Sequence, residues 1–287
     1  FAAGLIPLLT QNGDWLFDAF TGFAFTLPAK SSRTLDVSNL DLTFFAGFDR
    51  VTTAAVPDED EVAIYGLAGF VESRKGYGEL GYAFVDSGIE GLSYHNVTLA
   101  WSRRFGAAVS SSLRWIGNLG QDGDAFGNKT ADGHLLLLES SLITKKPYTH
   151  LPYLNLFVGF DSPQPLARTA GTGGVLANTG INFEPDGLTG YPTLDASGHD
   201  AYGGAVGFQN LFHLDRQLVV EVAAVERVGD RKALGREIAL GLRYQQPVAR
   251  AWIVRADLMH AWRETGALAP GTEDTFFGAR LEVRRKF

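Results

Sequence analysis

The sequence predicts an all-β chain whose strands cross a membrane as one antiparallel meander β-barrel of about fourteen strands, with roughly 12–16 compatible. Three observations carry this. Segments of 10 to 14 residues alternate apolar and polar side chains, the connections between them are alternately short and long, and the last strand keeps most of its charges on one face. Soluble strands usually run about 5–6 residues, whereas a tilted membrane-crossing strand needs roughly 9–11.

Composition narrows the class. The chain has 287 residues, no Cys, 34 Gly, 20 Phe and a formal net charge of −7. No linker, repeat or low-complexity tract divides it, so residues 1–287 are expected to form a single domain. No run of 18 or more uninterrupted apolar residues occurs, which argues against helical membrane spans. A barrel needs no such run, because half of each strand faces a polar lumen. The lack of Cys removes disulfides, thiol chemistry and a Cys zinc site. Dispersed basic residues on an acidic chain argue against nucleic acid. No basic leader precedes Phe1, so a removed signal or further preceding sequence is expected.

The elements follow in order. Residues 1–10 form a first strand weakened by Pro7, and Asn12-Gly13 supplies a tight hairpin turn. From Trp15 to Leu27, one side holds Trp15, Phe17, Ala19, Phe23 and Phe25 and the other Asp18, Gly22, Ala24 and Thr26, with Leu16 and Phe20 as exceptions. Residues 38–49 set Leu40, Leu42, Phe44, Ala46 and Phe48 against Asn39, Asp41, Thr43, Phe45 and Gly47. Residues 61–72 break the pattern, because Val62, Ile64 and Phe70 compete with Tyr65, Leu67 and Val71. Cover on both faces is expected there, from a plug, a loop or a neighbouring chain. Alternation resumes with Leu80, Tyr82 and Phe84 against Glu79, then Val97, Leu99 and Trp101, then Leu113 and Trp115 against Arg114. Leu136, Leu138 and Leu142 oppose Glu139, Val220 and Val222 oppose Glu221, and Leu240 and Leu242 oppose Arg243. Trp252, Val254, Ala256 and Leu258 oppose Arg255 and Asp257. The final strand reads Phe277, Ala279, Leu281, Val283, Arg285 and Phe287 on one parity and Phe276, Gly278, Arg280, Glu282, Arg284 and Lys286 on the other.

Connections on one side are predicted near 27–37, 73–76, 104–107, 145–151, 212–215 and 246–249, and on the other near 11–14, 49–60, 87–91, 118–133, 162–200, 227–235 and 263–273; except for the first hairpin and the 27–37 turn, the second set is the longer. The segment 162–200 is too long for a structureless connection and is expected to fold into the lumen or cover its mouth.

The terminal strand, with charges on one face and Phe287 last, resembles the closing strand of bacterial outer-membrane β-barrels. In that class the terminal Phe belongs to the signal read by the barrel-insertion machinery. The alternation of connection lengths extends the resemblance over the whole chain, without a particular subfamily. It implies an integral outer-membrane protein with periplasmic termini, in contact with the lipid bilayer and lipopolysaccharide. A homo-oligomer or an envelope protein partner is compatible with it.

An arginine at mid-depth in lipid costs about 2–4 kcal/mol, so four at one parity disfavour the inverted orientation by roughly 8–16 kcal/mol. The polar parity therefore faces the lumen. Arg243, Arg255, Arg280 and Arg284 then form a basic wall on the last three strands, diluted by Asp257 and Glu282, and joined near the end by Lys286. Asp18, Asp41 and Glu79 form an acidic wall on early strands, with Glu139 and Glu221 between. Such opposed charges resemble a porin constriction, which implies passage of small polar solutes with selectivity set by electrostatics. A barrel that surrounds or anchors a partner polypeptide or a secreted polymer is the alternative. Trp15, Trp101, Trp115, Trp252 and Trp262, with Tyr82, Tyr94 and Tyr244, are expected as aromatic girdles.

No enzyme is expected and no cofactor or metal is implied. Ser93 and His95 are the sole local candidates for a hydrolase pair, and their order departs from the His-x-Ser pattern of phospholipase barrels. Asp58-Glu59-Asp60-Glu61 and Asp122-Gly123-Asp124 are expected to be solvated acidic loops rather than calcium sites.

Overall fold

The computed structural model describes the chain apart from residues 11–12, 35, 54–55, 57–61, 107, 143–148, 170–171, 186–189, 214–215, 265–272 and 286–287. The acidic run 58–61, Asn12, Lys286 and Phe287 thus lie outside the described residues. The strands are β1 (Ala2–Leu9), β2 (Leu16–Ser32), β3 (Val37–Asp49), β4 (Ala63–Ser73), β5 (Gly76–Asp86), β6 (Tyr94–Phe105), β7 (Val109–Leu119) and β8 (His134–Leu142). They continue as β9 (Thr149–Phe160), β10 (Ala167–Arg168), β11 (Ala201–His213), β12 (Arg216–Arg227), β13 (Arg236–Ala249), β14 (Trp252–Arg263) and β15 (Thr275–Arg285).

Among the described residues these form one 15-stranded sheet. Apart from the two-residue β10, which pairs parallel to β2, the strands follow each other in chain order as an antiparallel meander. No ladder joins β1 to β15 among the described residues. The sheet nevertheless curls around a shared filling. The segment between β9 and β11 reaches Asp14, ahead of β2, through Asn178. It also lays Pro192 against β15, where a Cβ on Gly278 would lie 2.5 Å from the proline ring. No helix is long and apolar enough to cross a membrane.

Connection lengths sort as the sequence predicts. Two residues, Arg74 and Lys75, join β4 to β5, and two join β13 to β14, whereas the strand ends that flank 120–133, 161–200, 228–235 and 264–274 all lie at the opposite end. The molecule thus has a short-turn end, where β1 begins and β15 finishes, and a long-loop end.

Register fixes the two faces. Leu40, Val71, Gly78, Trp101, Leu113, Leu138 and Leu156 form one row across seven strands. The large side chains in it stay exposed, from 36% at Leu138 to 50% at Leu40. Asp18, Glu79, Arg114, Glu221, Arg255 and Asp257 point the other way and are buried. Apolar-out and polar-in is the reverse of a soluble sandwich, and it suits a wall with lipid on one side.

Two girdle assignments are corrected. Trp15 and Tyr94 are buried inside the curl, at 1% and 0% exposure. Trp15 precedes the first residue of β2, and the turn that bonds Thr10 N–H to the Leu16 carbonyl swings it off the outward parity. Its indole N–H donates to Asn96 Oδ1 at 2.5 Å. Tyr94 holds inward parity and shares a 3.1 Å hydroxyl contact with Thr53. Trp101, Trp252, Trp262 and Tyr82 do face outward.

The broken alternation has one cause. Leu16, Phe20 and Ile64 are inward residues, apolar because a hydrophobic core lies inside the sheet's curl rather than outside it. Phe45, Ile116 and Leu135 of the wall meet Leu166, Leu176, Phe183 and Leu194 of the segment after β9 there. On the outward side of β4, Tyr65 is exposed and stacks edge-on with Phe48.

Candidate functional site: the lumen and its folded-in loop

Residues 161–200 leave the wall and return at a single neck. Asp161 N–H donates to the Asp200 carboxylate at 2.9 Å, and Asp200 N–H to the Asp161 carbonyl at 3.1 Å. Both aspartates have left-handed backbones, φ 53° and 42°, a region Asp tolerates better than bulkier residues. A long loop with joined ends, packed by its own side chains, is a compact unit and not a tether.

That unit is pinned around the lumen. Leu166 N–H donates to the Trp15 carbonyl at 2.8 Å, and β10 continues the attachment to β2. On the opposite wall, Glu221 of β12 accepts the N–H groups of Ile181 and Asn182 at 3.0 and 2.9 Å and the Asn182 amide at 2.8 Å. Tyr153 of β9 adds its hydroxyl to the same carboxylate at 2.5 Å. A Cβ at Gly180 would lie 2.5 Å from a Glu221 oxygen, so a larger residue there would push the carboxylate off this seat.

Near the long-loop end, Asp195 meets Arg231 at 2.7 Å and Arg227 at 3.3 Å. Burial opposes its charge, but hydrogen bonds from Ser197 and the Arg231 guanidinium outweigh this and hold the carboxyl below the usual carboxylate range. A depressed folded-state pKa means the anchor is fully formed above the unfolded value, about 3.9. It weakens as pH falls through the lower folded value. The loop's attachment is therefore expected to survive at neutral pH and to loosen below about pH 4. Protease sensitivity or hydrogen exchange of residues 190–200 against pH reads this, and Asp195→Asn should abolish the dependence.

The predicted basic wall comes together in part. Arg243, Arg255 and Arg280 converge on one carboxylate, Asp257, with Nε–O distances of 2.8, 2.9 and 2.9 Å. The loop adds Glu184, 2.6 Å from Arg243 and 3.1 Å from Arg255, and Tyr191, whose ring lies 4.7 Å beneath Arg280. Among the described residues these three guanidinium groups gather around the carboxylates of Asp257 and Glu184. Arg284 stands apart, paired with Glu282 towards the short-turn end.

The acidic wall does not act as a unit. Asp18 ties down two loops, accepting the Thr52 N–H at 2.8 Å and the Thr169 hydroxyl at 3.4 Å. Glu79 and Asp41 line a separate cavity beside Leu8, Thr43 and Phe70. Glu139 pairs with Arg114 at 2.7 Å, and Arg114 also pairs with Asp14. Towards the short-turn end, a polar cavity of about 460 Å³ remains open between Ser112, Glu139, Tyr153, Asn155 and Gln209. The loop-end half of the lumen is filled and the turn-end half is open and hydroxyl-lined.

Glu184, Asp195 and Tyr191 escaped the sequence reading because they lie on a segment with no periodicity. Asp14 and Arg114 escaped because nothing local marks their pairing across 100 residues. Ser93 and His95 do not face each other chemically. The Ser93 hydroxyl contacts Asp86 and Ser87, and His95 Nδ1 contacts the Tyr82 hydroxyl at 2.8 Å on the outward side. Asp124 folds its own turn, accepting the N–H groups of Phe126 and Asn128 at 2.8 Å each. Among the described residues no group of three His, Cys, Asp or Glu side chains is placed to hold a metal ion.

No protein-family model matches the sequence. No curated protein matches it either. Solved structures do match in fold. OccK11 (OpdR) of Pseudomonas aeruginosa is 14% identical with a TM-score of 0.62, over 98% of this chain and 75% of its own. OpdK of the same organism, solved with vanillate, is 15% identical with a TM-score of 0.59, over 98% of this chain and 71% of its own. Wzi of Escherichia coli, an outer-membrane protein of group 1 capsule assembly and a carbohydrate-binding β-barrel, is 13% identical with a TM-score of 0.52, over 94% of this chain and 62% of its own. With lipid-facing leucines, a charged lumen and a folded-in loop, this chain has the fold of the porin-like outer-membrane β-barrels.

Proposed function

We propose that the chain is an integral outer-membrane channel for passive or weakly selective passage of small hydrophilic solutes, with its termini in the periplasm. The observation that carries this is the inward loop. It fills the loop-end half of the lumen against Arg243 and Arg255 and leaves a polar, open half beyond. Guanidinium groups lining a lumen favour anions over cations, and their planar shape suits carboxylates. The vanillate held by OpdK has that chemistry. Connection length supports this placement of the termini, because outer-membrane barrels keep short turns on the periplasmic side.

A planar bilayer tests the reading. The purified chain is expected to insert and conduct, with a reversal potential in a salt gradient on the anion side. Arg243→Gln with Arg280→Gln should move that potential towards cations. A chain that inserts but never conducts, even after the loop is removed, would overturn the channel.

The fold shared with Wzi keeps a second reading, a barrel that serves a secreted polymer or anchors a partner. The packed core inside the loop-end half favours it over free diffusion. Retention of an oligosaccharide without any conductance would choose it.

A further inference from the structure

The outward face carries a groove of about 340 Å³ where the β4–β5 turn meets the end of β6. Register sets its depth. Val71, Gly78 and Trp101 belong to the apolar outward row, and Ser73, Gly76 and Arg103 form the next outward row towards the turn. Ser111 and Ser140 continue that second row and share a 2.8 Å hydrogen bond. Between the two rows the surface passes from hydrocarbon to hydroxyl and cation, the step from acyl chain to headgroup.

The groove has a floor and two walls. Gly78 lacks the Cβ that would lie 3.2 Å from Val71 Cγ1, so Val71 and the half-exposed Trp101 flank an open strip. At its mouth stand Lys75 and Arg103, both exposed. Lys75 is held in the turn, its N–H on Ser73 Oγ at 3.4 Å and its carbonyl accepting Arg104 N–H at 2.9 Å. Arg103 lies over the Phe105 ring at 5.6 Å. Among the described residues no carboxylate pairs with either cation.

We propose that this groove binds a glycerophospholipid with an anionic headgroup. The phosphodiester sits between Lys75 and Arg103, where charge-assisted hydrogen bonds are strongest. One acyl chain runs along Gly78 between Val71 and Trp101. Basic side chains at a membrane surface attract anionic lipid additively, and a groove turns that attraction into a site. The inference rests on the membrane reading above but not on conduction. Arg33 and Arg250 put charge on other turns of the same rim without this groove.

Native mass spectrometry of the detergent-purified chain with equal phosphatidylglycerol and phosphatidylcholine tests it. Phosphatidylglycerol should be retained preferentially. Lys75→Gln with Arg103→Gln should weaken the preference by roughly 30-fold, two surface cations' worth. Gly78→Leu should block the lipid adduct with both charges in place, while Arg33→Gln with Arg250→Gln should leave it intact. Heat-shifted gel mobility checks that each variant is folded. Equal binding of the two lipids, or equal loss in the Arg33/Arg250 control, would overturn the site. Displacement by millimolar inorganic phosphate would reduce it to a free-anion site, and preferential retention of lipopolysaccharide would overturn the phospholipid assignment. A folded chain that does not enter vesicles at all would remove the membrane reading itself.

Discussion

Replacing residues 169–196 with a short Gly-Ser linker is expected to raise single-channel conductance severalfold and to erase most ion preference. The cut keeps β10 on β2 and the Asp161–Asp200 neck, so the wall's ladders remain intact. What leaves is the filling: Leu176, Phe183 and Leu194 from the core, Glu184 and Tyr191 from beside the arginines, and the Ile181–Asn182 seat on Glu221. Phe20, Ile64, Ile116 and Leu135 then face water. Each large apolar side chain exposed this way costs about 1.5–3 kcal/mol, so the shortened chain should also unfold at lower denaturant. Bilayer recording and urea titration read the two effects separately. Conductance equal to that of the intact chain would mean that the loop does not limit the path.

Asp257→Asn is expected to destabilise the barrel by about 3–5 kcal/mol, the cost of removing one partner from a buried ion group. The carboxylate is 4% exposed at its side chain and receives three guanidinium groups. An amide of the same shape keeps one acceptor and turns a donor towards cations. Loss of one anion raises the local charge by one, so selectivity should shift towards anions while stability falls. Arg280→Gln should move selectivity the other way. Urea midpoints and reversal potentials measured on both variants check the pair. An unchanged midpoint would mean that water already screens the cluster.

Much of the architecture was legible along the chain. Leu40, Leu42 and Phe44 alternate with Asn39, Asp41 and Thr43, and the structure turns the first set out and the second in. Strand length and connection length are local quantities, so order, topology and the two unlike ends followed from them. The candidate site was legible only as a parity. Arg243, Arg255 and Arg280 were placed on one wall, but the wall's balance depends on Glu184, which arrives from 59 residues before Arg243.

Trp15 shows where sequence pattern misleads. It is an apolar residue whose parity should send it to lipid, and it is buried within. A period of two states which residues share a face; it does not state whether that face meets water or another segment of chain.

The sequence by itself determined which side chains point the same way, because a strand's alternation is set by backbone geometry at each residue. The tertiary structure alone decided what those side chains meet. The loop's seat on Glu221, the arginines gathered on Asp257 and the groove between Lys75 and Arg103 all join residues distant in the chain. Their contact depends on sheet curvature and on how a loop of irregular backbone satisfies its hydrogen bonds, and neither leaves a local periodic trace.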